Sequence, residues 1–414
     1  MKDEILSHLN EPKQLERIYR SNKQPFKQEF NSLYPQLKGN TIADFWNERL
    51  NYEEDEIYWG NRGEWLLLLI AALVAGLIAK LPAIFNINEE FFYPRNIGFI
   101  FLPLLTAYFA WKNKLQPKLI AVIGGIMLLS VIYINLLPAS NKSDTLMLAC
   151  IHLPLLLWVV LGAAFTGNDL LDYNRRLDYL KFNGDLVVMT TLIVIAGGIM
   201  SGITIGLFSL IGLKIEKFYF ENIVVFGLPA APILGTWLVR SNPQLVSKVS
   251  PVIARIFSPL VLVMLVIYLA AMVLSGKDPY NDREFLLIFN VLLVGVMALI
   301  FFSVSESTKS SKSRSETWVL LLLSTVTIIV NGIALSAILF RISEWGMTPN
   351  RAAVLGSNVL ILVNLLLVLA QLIKVVSRKS EIEGVGRIIS SYLPIYFAWT
   401  IIVTFIFPVL FGFK

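Results

Sequence analysis

Eleven apolar stretches separated by short polar loops run through this chain. Each is roughly 20 residues long, enough to cross the hydrocarbon core of a bilayer as one helix. They fall near 65–85, 94–111, 118–138, 146–167, 185–213, 220–240, 251–274, 285–304, 317–340, 351–376 and 388–412. The cations between them are unevenly shared. Of the 35 Lys and Arg, 25 fall in the odd-numbered connecting segments and 9 in the even-numbered ones, with Lys80 inside the first span. Cationic loops stay on the cytoplasmic side because carrying them through lipid is unfavourable. The alternation predicts an N-terminus inside, eleven crossings and a C-terminus outside. The expected fold class is all-α, a polytopic transmembrane bundle with a small N-terminal cytoplasmic helical segment.

Composition narrows the alternatives. Only 15% of residues are charged and 56% are hydrophobic, whereas a soluble domain is about a quarter charged. The net charge of +6 sits in short loops where topology accounts for it, so no nucleic-acid partner is expected; membrane lipids are. The lone cysteine, Cys150, excludes an internal disulfide or a cysteine metal cage, and its place in the fourth span suits a small apolar role. No zinc-protease, P-loop, dinucleotide-fold or serine-elbow pattern occurs, and no metal or cofactor is expected. The absence of alternating ten-residue strands argues against an outer-membrane barrel. The chain shows no cleavable signal, so the first span is expected to act as an uncleaved insertion signal.

Residues 1–62 read as a cytoplasmic amphipathic segment and 63–414 as the bundle. Helical spacing recurs at Leu15, Ile18 and Tyr19, at Phe26, Phe30, Leu33 and Tyr34, and at Phe45, Trp46 and Leu50. Pro12, Pro25, Pro35 and Gly39 punctuate three or four short helices, and Thr41 is the expected cap of the last. Their aromatic faces are expected to pack on one another or on the inner ends of the bundle; docking of a cytoplasmic partner is the sharper reading. The acidic run Glu53–Glu56, followed by Tyr58, Trp59 and Trp65, marks the approach to the membrane interface.

Within the spans, Gly198, Gly202 and Gly206 recur every four residues and are expected to admit a neighbouring helix. Pro229 and Pro232 are expected to interrupt the sixth span, as a kink or as the broken helix of a binding site. Lys80 either lifts its ammonium to the outer interface or faces an internal cavity. His152 is satisfied by a helix carbonyl or serves a proton relay. No carboxylate lies deep in any span, which disfavours proton or cation coupling. Asn290, Asn331, Asn358, Asn364 and Gln371 read as interhelical hydrogen bonds or as a polar pathway. Asp169 and Asp172 are spaced to share a helix face, in a salt-bridged interface or around a divalent ion. The densest segment is Arg341–Arg351, at the outer turn between spans nine and ten. There Gly346 turns the chain, Thr348 caps the tenth helix, and Arg351 in its first turn calls for Glu344 or an anionic ligand.

The turn Trp345-Gly346-Met347-Thr348-Pro349-Asn350-Arg351 resembles a motif of bacterial polytopic membrane families catalogued as domains of unknown function 4153 and 4173. There an aromatic-Gly-Leu-Thr-x-x-Arg turn joins two late spans; Met347 stands here in place of Leu. Leu177–Asp185 resembles the middle region of the same families. The resemblance implies a bacterial inner membrane and assigns no activity. These readings converge on a non-enzymatic inner-membrane bundle that binds or moves a small or lipidic molecule, an anion included. Arg341, Glu344, Arg351, Lys80 and His152 are its candidate ligand residues. The alternatives are a membrane enzyme acting on a lipid-linked substrate at the outer face, with Glu344 or His152 as its acid or base, and a scaffold or assembly subunit.

Overall fold

The structure is a computed structural model that describes residues 2–21, 23–51, 62–138, 143–210, 213–247, 249–275, 280, 283–307 and 314–413. The Glu53–Glu56 run, Tyr58 and Trp59 lie outside them. Two compact units divide the chain, Met1–Trp59 and Gly60–Lys414.

The first unit holds four short helices: α1 (Lys2–Ser7), α2 (Pro12–Ser21), α3 (Lys23–Leu37) and α4 (Thr41–Asn51). Their apolar faces meet one another, burying Leu15, Phe26, Phe30 and Trp46. Phe26 lies 5.2 Å from the Trp46 ring and Tyr19 5.5 Å from it. Pro35 does not stop α3, which continues to Leu37; the turn comes at Gly39, whose φ of +94° suits a residue without a Cβ. The cap of α4 is Asn40 rather than Thr41. Its Oδ1 accepts from the Ile42 and Ala43 amides at 3.0 and 3.1 Å, satisfying donors that a helix start leaves open. Glu16 ties α2 to α4, 2.7 Å from Arg20 Nε and 2.8 Å from Arg49 Nη1. The Arg20 guanidinium, aided by Arg49, holds the Glu16 carboxyl below its usual range against the opposing effect of burial.

The second unit is an all-α bundle. Its long helices are α5 (Arg62–Phe85), α6 (Glu89–Lys112), α7 (Pro117–Leu136), α8 (Asp144–Thr166), α9 (Tyr173–Leu210) and α10 (Glu216–Ser241). They are followed by α11 (Val249–Ser275), α12 (Arg283–Ser307), α13 (Arg314–Trp345), α14 (Pro349–Val376) and α15 (Glu383–Leu410). Among the described residues, ten of these have the length and apolarity to cross a membrane. The eleventh, α6, has 24 residues and carries Arg95 and Asn96 near its start. Large apolar side chains also cover the outside, with Leu129 67% and Met200 69% exposed. A helix apolar on every face belongs in lipid or a core, so the chain is a multi-pass membrane protein.

Successive helices alternate in direction. The end where α5 begins is the proximal end, and the end where α15 finishes is the distal end. At the distal end Arg95, buried, donates to the carbonyls of Ile134 and Leu137 at 3.2 Å each, so its charge closes the C-terminus of α7. Proximally, Asn113 Nδ2 donates to Ala164 and Phe165 at 2.9 Å each, closing α8. Asn88 caps α6 and Ser143 caps α8.

Pro229 and Pro232 do not break α10. A π-turn at Phe220–Val224 precedes them, directly before Val225, whose carbonyl the Pro229 ring crowds. A second π-turn, Ile402–Ile406 in α15, contains Thr404, which Pro408 crowds in the same way. In both cases the helix widens rather than ends.

Two large apolar cores fill most of the bundle, with a smaller cluster of Leu148, Ala353, Val403 and Phe407 beside them. One gathers α5 to α10 around Leu105, Phe109, Leu153, Leu157 and Phe182; the other gathers α11 to α15 around Phe289, Leu293, Leu323, Leu365 and Ile389. The helix α9 serves both: Tyr179 and Phe182 enter the first, Leu177 and Leu180 the second. Its 38 residues make about 57 Å of helix at ~1.5 Å per residue, against ~30 Å of hydrocarbon. The extension is proximal, where the helix starts at Tyr173 rather than near residue 185.

The glycine pattern departs from expectation. A Cβ at Gly198, Gly202 or Gly206 would meet no atom within 4 Å, so no described helix packs closely on that face. The close approaches are elsewhere: Gly184 against Phe302, Gly356 against Trp399 and Gly76 against Phe226. A Cβ at Gly184 would lie 2.0 Å from the Phe302 ring. Gly184→Ala is therefore expected to destabilise the bundle by about 1–3 kcal/mol through overpacking, and Gly202→Ala to leave its melting temperature in detergent unchanged. Equal melting of the two variants would contradict this packing.

Candidate functional site

At the distal end, α13 finishes at Trp345 and α14 starts at Pro349. Gly346, with φ +76°, makes the turn, and Thr348 Oγ1 accepts from the Arg351 amide at 3.3 Å. Arg351 Nη1 donates to the carbonyls of Trp345 and Gly346 at 2.8 and 2.6 Å. The guanidinium thus fastens the first turn of α14 to the last of α13, while its Nε and Nη2 have no partner among the described residues. Both Arg341 and Arg351 sit against the Trp345 ring, 5.3 and 5.7 Å from its centroid, where the π-face attracts cations. The expected compensation by Glu344 is absent. Its carboxylate is exposed and makes no ion pair with a described residue.

The five candidate residues do not form one site. Lys80 is half-buried on α5 and donates to Asn222 Oδ1, which the π-turn of α10 presents. Its partner is thus an amide, and α5 packs on α6 and α10, while α13 packs on α11, α12 and α14. His152 Nδ1 donates to the Leu148 carbonyl of its own helix at 2.9 Å. Leu148 packs with Ala353 in the first turns of α14, which sets His152, a turn beyond Leu148, deeper in the bundle than the Trp345 turn.

The amides join neighbouring helices. Asn331 Nδ2 donates to the Asn358 carbonyl at 3.1 Å, linking α13 to α14. Asn364 Nδ2 donates to Tyr396 Oη at 3.0 Å, linking α14 to α15. All three asparagines are essentially buried, and Asn290 is half-buried on α12. At the other end, Gln371 Nε2 donates to Ser380 Oγ at 2.6 Å.

Sequence reading missed a second polar locus, at the proximal end. A cleft of about 280 Å³ opens between α11, α12 and α13, lined by Arg255, Ser258, Ser303, Glu306, Ser315 and Glu316 among others. Arg255 Nε lies 3.0 Å from Glu316 Oε1, and Lys181 Nζ of α9 lies 3.1 Å from Glu306 Oε1. The Glu306 side chain is only 4% exposed, and Asp185 is also buried, inside α9. Both acids sit at proximal ends of spans rather than deep within them: Glu306 is in the last turn of α12, and Asp185 is where α9 passes from its proximal extension into the fifth span. The signal was present as acid–base complementarity between segments far apart in sequence. Asp169 and Asp172 do not share a helix face. Both precede α9, and Asp172 Oδ1 accepts from the Asn174 amide at 2.9 Å. Among the described residues no group of three His, Cys, Asp or Glu is placed to hold a metal ion.

No protein-family model, curated protein or solved structure matches this chain. Its class rests on the fold alone: a multi-pass helical membrane protein with polar loci at both ends of the bundle.

Burial makes the Lys181–Glu306 pair testable. Lys181→Met alone takes one cation away from a buried carboxylate and is expected to cost about 1–3 kcal/mol. Adding Glu306→Leu removes the buried charge itself, and the double variant should melt above the single one. A double variant that melts lower by the full sum of both losses would show the pair to be uncoupled.

Proposed function

We propose that this protein binds or moves a small or lipidic anionic molecule, with the anionic group held at the Trp345 turn. The observation that carries the reading is two guanidiniums against one indole, Arg341 and Arg351, beside a carboxylate that makes no ion pair with a described residue. The guanidinium fork of Arg351 matches phosphate or carboxylate oxygens, and a second guanidinium on the same indole adds to the attraction for an anion. The N-terminus of α14, capped by Thr348, adds positive potential at the same place. The family resemblance of the Trp345–Arg351 turn is compatible with this reading and names no other activity. The cation distribution supports an orientation with the proximal end in the cytoplasm and the Trp345 turn outside, and the family resemblance implies a bacterial inner membrane. His152, bonded to its own helix, and exposed Glu344 lend the enzymatic alternative no paired acid and base.

Two measurements test the reading. In native mass spectrometry of the detergent-solubilised protein, phosphatidylglycerol should be retained over phosphatidylcholine. Arg341→Gln and Arg351→Gln should each weaken that preference by about tenfold or more, the loss of a hydrogen bond to a charged group. No lipid-charge preference, or one that both variants keep, would refute the site. For the orientation, a membrane-impermeant maleimide applied to intact cells should label Ser343→Cys and spare Ser380→Cys, with Cys150→Ala as background. Labelling of Ser380→Cys alone would invert the topology.

A further inference from the structure

We infer that the proximal cleft is a second binding site, specific for a zwitterion bearing a primary ammonium and a phosphate or carboxylate. Its charges are arranged in depth. Glu306 is nearly buried, Glu316 is 23% exposed, and Arg255 is 53% exposed at the open side. Arg255 meets Glu316 through Nε, and among the described residues its two Nη groups have no partner. Lys181 reaches Glu306 from α9, so the floor carries a paired carboxylate and the rim a guanidinium with donors to spare.

This arrangement selects against ions of one sign. A simple anion drawn to Arg255 faces the carboxylates of Glu306 and Glu316. A simple cation drawn to those carboxylates faces Arg255 and Lys181. A molecule carrying both signs a few bonds apart answers both, its acid group toward Arg255 and its ammonium toward the glutamates. Ser258 and Ser303 add hydroxyls to the lining, and Pro259, Val319 and Leu320 add apolar wall. The volume of about 280 Å³ is large enough to admit a small zwitterion or a lipid headgroup. The cleft opens between helices that carry large exposed apolar residues, such as Leu260 and Leu322, so a headgroup with its acyl chains in lipid and a free zwitterion share the chemistry. The site lies at the opposite end from the Trp345 turn and does not depend on it.

The test uses the full chain. In one arm, O-phosphoethanolamine, inorganic phosphate and ethanolamine are titrated separately against detergent-solubilised protein by calorimetry. In the other, native mass spectrometry compares retention of phosphatidylethanolamine and phosphatidylglycerol after extraction from nanodiscs holding both. Binding of O-phosphoethanolamine, of phosphatidylethanolamine, or of both is the expected result. The first alone marks a soluble ligand and the second alone a lipid. Arg255→Gln and Glu316→Gln should each weaken that binding by about tenfold or more, with melting temperatures checked in parallel. Arg255→Lys, which keeps the charge and loses the fork, should also weaken it and serves if either variant fails to fold. Phosphate or ethanolamine binding as well as the zwitterion, binding of neither zwitterion in either arm, or binding untouched by the rim variants would overturn the inference.

Discussion

Hydrocarbon gives a peptide group nothing to bond to, and this requirement organises the bundle. Every long helix satisfies its own interior; its ends and irregularities have to find partners. Arg95 shows one solution, spending a buried guanidinium on the open carbonyls of α7. Asn113 does the same for α8 with an amide. The π-turns before Pro229 and around Thr404 show another, in which the helix widens to pass a proline. Polar side chains deeper in the bundle bond to a neighbouring helix or to a carbonyl of their own, as Asn331, Asn364 and Thr327 do, and this separates them from the two loci at its ends.

Those loci differ in character. The distal turn has its cations against an indole, and Arg351 anchors it through backbone carbonyls, so local chain geometry holds its shape. The proximal cleft is built from opposed charges on four helices, and its form depends on Lys181, Glu306, Arg255 and Glu316 keeping their pairings. One locus is set by local chain geometry. The other exists only once the fold has formed.

That difference explains what the sequence could show. Apolar length alone marked the spans, because a bilayer leaves few other conformations. The Trp345 turn was legible because Gly346, Thr348, Pro349 and Arg351 act within a few residues of one another. The pairing of Arg255 with Glu316, and of Lys181 with Glu306, spans two or more helices and left no local trace. The glycines of α9 misled for a related reason. Spacing reveals that a face is smooth, not whether anything lies on it; Gly184, outside the repeat, is the position that Phe302 crowds. Cap assignment erred by one residue, since Asn40 and Thr41 are both good caps and only hydrogen-bond geometry distinguishes them.

The helix α9 keeps Leu177 and Leu180 in one core and Tyr179 and Phe182 in the other, on adjacent turns of one unbroken rod. Such a rod cannot twist about its axis to suit one half of the molecule without shearing the other. Any working motion of the bundle must therefore translate or tilt α9 as a whole, and the two halves move as geared parts rather than as independent ones.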